Sequence, residues 1–190
     1  RLTYATLGAY LKYPWLSQPL SGGIASHKRA KFGCYHTEKH LLATTAEQLG
    51  LIAQGDYRWC RHPLAYLLEA ADDICYTLID LEDGLALNML RYEEIEPLFL
   101  QLLDDLPPPP ELKQDVSALQ KIAALRGKVI EKLVMAVTDA FAQQQEALLS
   151  GQLVGSLLNH CSAPLSDGID AAKNLARERI FNHPQKSQLE

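Results

Sequence analysis

Six carboxylates crowd the stretch EAADDICYTLIDLEDG, residues 69–84: Glu69, Asp72, Asp73, Asp80, Glu82 and Asp83, with no basic residue among them. The stretch sits inside a run of helical periodicity. At about 100° per residue, Leu64, Leu67, Leu68, Ala71, Ile74, Cys75, Leu78 and Ile79 are expected on one broad apolar face, the core side of the helix. Asp72 then falls at the edge of that face. Tyr76 and Asp80 follow at i+4 and i+8, forming a slowly drifting stripe, and Asp73 points toward the polar side. A carboxylate beside an apolar wall can ligate a divalent cation, while a phenol and a second carboxylate can exchange hydrogen bonds with a sugar-like ligand. A cation would also relieve the mutual repulsion and desolvation of these groups. On spacing alone the commoner reading of such charges is a solvated face, some of them favouring the helix dipole and others pairing with Arg61 or Arg91.

The elements that must position this stripe are helices. Apolar residues recur at helical spacing along most of the chain, for example Ile122, Leu125, Val129, Leu133 and Val137, and alternating strand-like segments are nearly absent. The expectation is an all-α fold with helices near 2–12, 37–50, 64–86, 91–103, 113–149 with a break near Gly127 allowed, 146–160 and 166–182. Pro63 suits the first turn of the third helix, where its missing N–H costs nothing. The prolines at 107–110 cannot continue a helix and favour a stiff connection into the long one beyond. A chain of 190 residues supports one sizeable core, at most two small ones.

A net charge of −5 gives no general footprint for nucleic acid, so a polyanion must meet a local basic patch. Cys34, Cys60, Cys75 and Cys161 are widely spaced with no C-x-x-C pair, which reads as reduced thiols of a cytoplasmic protein and argues against structural zinc. No run approaches the roughly 20 apolar residues of a membrane span. The chain opens on Arg1 inside an amphipathic pattern and reads as a piece of a longer polypeptide.

The stretch WCRHPLAYLLEAADDICYTLIDLEDG, residues 59–84, closely resembles the signature region of bacterial deoxyguanosinetriphosphate triphosphohydrolases and related dNTPases of the HD superfamily. LTYATLGAYLKYPW (2–15), KFGCYHTEK (31–39) and KNLARERIFNHPQ (173–185) resemble flanking segments of the same family. The resemblance implies an HD-type helical array, here a partial domain covering its central to C-terminal helices. It implies a divalent metal such as Mg or Mn, held by a His, a His-Asp pair and a distant Asp. It also implies hydrolysis of a dNTP to deoxynucleoside and inorganic triphosphate. Matched residue by residue, the distant Asp is Asp72, the sugar-contacting Tyr is Tyr76, and the acceptor for the 3′-hydroxyl is Asp80. The chain has no His-Asp dipeptide, and its six histidines, His27, His36, His40, His62, His160 and His183, fall outside the family pattern. The metal site is therefore expected to be incomplete, with no catalytic acid or base in this chain and no activity in the fragment alone.

The resemblance also points to Lys12 and Lys31 as triphosphate contacts. Taken alone, Lys12 reads as a cation closing a helix, and Lys28, Arg29 and Lys31 as a solvated basic loop. Arg126 either faces the nucleotide or pairs with Glu131 or Asp139. The aromatic residues Trp15, Trp59, Tyr4, Tyr10, Tyr13, Tyr57 and Tyr66 are read as packing groups before stacking platforms, and Cys75 as a small buried hydrophobe. Family members commonly form homo-oligomers with nucleotide or single-stranded DNA effectors. Two other readings stay open: an HD phosphohydrolase of other nucleotides, and a non-catalytic helical module for assembly or effector binding.

Overall fold

The computed structural model describes residues 2–17 and 31–182, and His27, Lys28, Arg29 and His183 lie outside them. The chain divides into two compact units, one made of residues 1–69 with 144–156 and the other of 70–143 with 157–190. Apart from one short hairpin the named elements of the described residues are helices, as the periodicity requires.

In the first unit, α1 (Tyr4–Tyr10) starts at Thr3, whose hydroxyl accepts the Thr6 N–H at 3.1 Å. α1 packs on α2 (Lys39–Gln48) through Gly8. A Cβ at that position would come within 2.5 Å of Leu49 Cδ1. A 3-10 turn, His36–Glu38, leads into α2, and Glu38 accepts the Tyr35 N–H at 2.9 Å. The hairpin that follows, β1 (Ala53–Gly55) and β2 (Arg58–Trp59), turns through Tyr57 at a φ of 49°. The extended segment 13–17 lies between two neighbours: the Trp59 N–H donates to Pro14 O at 3.1 Å on one side, and Gly33 N–H to Trp15 O at 3.2 Å on the other. This small ladder escaped the sequence reading because each strand is only two or three residues long, too short to show alternation.

α3 (Pro63–Ala86) begins in the first unit and continues in the second. Pro63 does occupy its first position. In the second unit, α4 (Tyr92–Leu103) packs against both α5 (Ala118–Gln143) and α7 (Ala163–Ala176). The α5 side of this core is Ile122, Leu125, Val129, Leu133, Val137 and Ala140, spaced three or four apart, and each is buried. α5 runs unbroken through Gly127, where a side chain would meet open space. The expected helix at 146–160 does not form. α6 (Gln145–Leu149) ends at Ser150, and only a 3-10 turn, Leu157–His160, follows. Gly151 and Gly155 adopt φ of 69° and 82°, the left-handed region that terminates helices. α7 ends in a π turn, Arg177–Phe181.

Candidate active site

Along α3 in the second unit, Ala70, Ile74, Thr77, Leu78 and Leu81 are buried. Asp72 lies roughly opposite them around the helix and is exposed. This corrects the expected wheel. Ala71 and Cys75 are exposed, as are Leu64 and Leu68 in the helix's first turns and Ile79 further on. α3 carries apolar residues on more than one side, and the described residues cover only the side centred on Ala70 and Leu81. Periodicity finds apolar stripes but cannot say which one a given stretch of chain covers. Asp72 and Tyr76 (64% exposed) therefore share the open face, and Asp80, a further turn on, is half-buried at its margin. Burial first and the neighbouring Asp83 second push the Asp80 carboxyl above the usual carboxylate range.

The six carboxylates separate by partner. Glu69 is held by Lys12 at 2.9 Å and Arg61 at 2.7 Å, Asp73 by Lys173 of α7 at 2.9 Å, and Glu82 by Arg126 of α5 at 2.6 Å. Asp72, Asp80 and Asp83 make no ion pair among the described residues. Arg126 thus pairs with neither Glu131, which takes Lys128 at 2.8 Å, nor Asp139. Its Nε–H is not aligned for a hydrogen bond, so the contact with Glu82 is one of charge. Arg91, weighed as a partner for the acidic helix, instead turns to Glu94 at 3.4 Å.

A hard or borderline divalent cation favours an unengaged carboxylate, and of the tandem pair only Asp72 offers one. Asp72 fits as a single ligand. No group of three or more His, Cys, Asp or Glu side chains converges among the described residues.

The first unit gathers cations. Lys12 follows α1, Lys31 begins the strand-like segment that pairs with residues 15–17, and Arg61 precedes α3. The Lys12 and Lys31 ammonium groups stand 5.9 Å and 5.7 Å from the centre of the Tyr13 ring, and the Arg61 guanidinium 5.8 Å from it. Gly33 permits this approach, since a Cβ there would fall 2.2 Å from Tyr13 O, and the Trp15 indole N–H donates to Lys31 O at 2.7 Å. Beside the cluster lies a cavity of about 430 Å³, lined in part by Trp15, Arg58, Arg61, Tyr66 and Glu69. Arg61 pairs with Glu69 of the acidic helix, one of the two partners weighed from the sequence; its place beside Lys12 and Lys31 around Tyr13 was not read there.

No protein-family model matches the chain. Three relatives carry the comparison. A deoxyguanosinetriphosphate triphosphohydrolase-like protein of Pseudomonas aeruginosa is 51% identical over 189 residues, which is 98% of this chain and 42% of that protein. A second protein so described, from Synechocystis, is 34% identical over 97% of the chain and 42% of its own length. A deoxyguanosinetriphosphate triphosphohydrolase of Serratia proteamaculans is 32% identical over the whole chain and 40% of its own length. The resemblance carried by the acidic helix therefore extends along the chain, which spans about two-fifths of the length of these relatives.

Proposed function

From a chain similar over 98% of its length to deoxyguanosinetriphosphate triphosphohydrolase-like proteins, we propose that the whole protein hydrolyses a deoxynucleoside triphosphate to deoxynucleoside and inorganic triphosphate. The observation that carries this is the division of labour on α3. Asp73 is spent on Lys173, while Asp72 is unengaged, exposed, and in line with Tyr76 and Asp80 at i+4 and i+8.

Asp72 would hold a divalent cation together with ligands from outside the described residues. When bound, such a cation supplies Lewis-acid polarisation of a phosphate oxygen. Tyr76 packs its ring against C2′ of the sugar and leaves no room for a 2′-hydroxyl, and Asp80 accepts a hydrogen bond from the 3′-hydroxyl. Excluding one oxygen by contact discriminates deoxyribose from ribose without any further device. Lys12 and Lys31 bind the triphosphate, and Arg126 holds Glu82 rather than substrate. In the reaction a water oxygen bonds to the α-phosphorus, the bond from that phosphorus to the 5′-oxygen breaks, and the 5′-oxygen leaves with a proton. Through the family resemblance, a cytoplasmic setting, homo-oligomers and a nucleotide or single-stranded DNA effector accompany this function.

Product analysis tests the proposal. Full-length protein given dGTP and Mn²⁺ is expected to release deoxyguanosine and inorganic triphosphate in equal amounts. Release of pyrophosphate or orthophosphate as the primary product would assign it to another class of phosphohydrolase.

A further inference from the structure

Resting on the dNTP reading above, the geometry points to Arg61 as a third polyphosphate-binding cation beside Lys12 and Lys31. Three charged groups converge on one ring, that of Tyr13. Glu69 is shared between Lys12 and Arg61. The three cationic groups stand together in a chain whose net charge is −5. A chain of linked phosphates carries several charges along a short length and can meet several cations at once.

Arg61 is built to stay where it is. Its guanidinium lies 5.8 Å from the Tyr13 ring and 5.2 Å from that of Tyr66, and Nη1 donates to Glu69 Oε2 at 2.7 Å. Tyr66 is buried, and burial raises its hydroxyl pKa. The phenol therefore stays neutral and presents a ring to the cation without adding charge. A guanidinium has five N–H donors in a fixed fork. Among the described residues only Nη1 is engaged, and the side chain is 22% exposed. The remaining donors are carried on a side chain already held in place, so little conformational entropy would be lost on their donating to phosphate oxygens. Lys12 and Lys31 supply mobile point charges. Arg61 adds directional bonds.

The test uses sodium triphosphate as the probe, titrated calorimetrically into full-length protein in EDTA so that metal-mediated binding is removed. Arg61→Ala is expected to weaken binding about tenfold or more, and Arg61→Gln, which keeps length and an amide donor, by a similar factor. Lys128→Ala, remote from the cluster in sequence and paired with Glu131, should leave the affinity unchanged. Thermal melting identifies any variant that fails to fold, and the other substitution is then read. A folded Arg61 variant that binds triphosphate as the parent does would overturn the assignment. The two proposals fail separately. If the protein releases orthophosphate from dGTP while Arg61→Ala still loses triphosphate affinity, the reaction falls and the binding residue stands. If triphosphate is the product and Arg61→Ala is neutral, the reverse holds.

Discussion

Asp72 and Asp73 are adjacent and chemically identical, and one lysine separates them. Lys173 reaches Asp73 at 2.9 Å, which ties α3 to α7, and Asp72 is left facing outward. The resemblance singles out the same residue, whereas the helical wheel put Asp72 at the edge of the core, and it lies opposite the core. Asp80 is the member of the stripe nearest the buried side. Its raised pKa means that the folded state prefers the neutral acid, so Asp80 helps stability below the ordinary carboxylate pKa near 4 and opposes it once pH rises through the shifted value. Asp80→Asn should therefore melt at a higher temperature than the parent at pH 7, with the gain shrinking as pH falls toward 4, while affinity for dNTP drops. Equal melting temperatures across that range would show that the charge carries no folding cost.

At the N-terminus of α4, Glu94 does two jobs. It accepts the Arg91 N–H at 2.9 Å, closing the first turn, and it receives Arg179 from the π turn after α7. The Arg91 backbone bond first and Arg179 next draw its pKa below the usual range, so its contribution is present above the unfolded pKa near 4 and is lost as pH falls through the lower folded value. Glu94→Gln should cost about 1 kcal/mol at pH 7, read by denaturant unfolding, and nothing once the parent's carboxylate is protonated. A deficit unchanged at low pH would mean packing, not charge. The long helices α3, α4 and α5 were legible in the sequence because each repeats its apolar face over three or more turns. The hairpin 53–59 and the stop at Gly151 were not, because two-residue strands carry no period and the backbone of a glycine does not show in its letter. The exposed side of α3 was illegible for another reason: Ala71, Cys75 and Ile79 look like core whether or not anything covers them.

Across the whole molecule, charge is partitioned. The sequence demanded that any polyanion find a local basic patch, and the first unit supplies one in Lys12, Lys31 and Arg61 around Tyr13. The unengaged carboxylate of Asp72 belongs to the second unit. What the letters carried well was position: Asp72, Tyr76 and Asp80, matched from the acidic motif, lie along one helix. What they carried poorly was occupancy, meaning which acid is taken by which cation, since Arg126–Glu82 and Lys173–Asp73 join residues 44 and 100 positions apart. The most direct measurement compares Asp72→Ala with Asp73→Ala in the full-length protein, assaying Mn²⁺-dependent release of triphosphate from dGTP beside thermal stability. Asp72→Ala should lose activity by about 10³-fold at unchanged stability, and Asp73→Ala should keep activity while losing up to about 1 kcal/mol. Full activity in the Asp72 variant, or abolition in a stably folded Asp73 variant, would contradict the account.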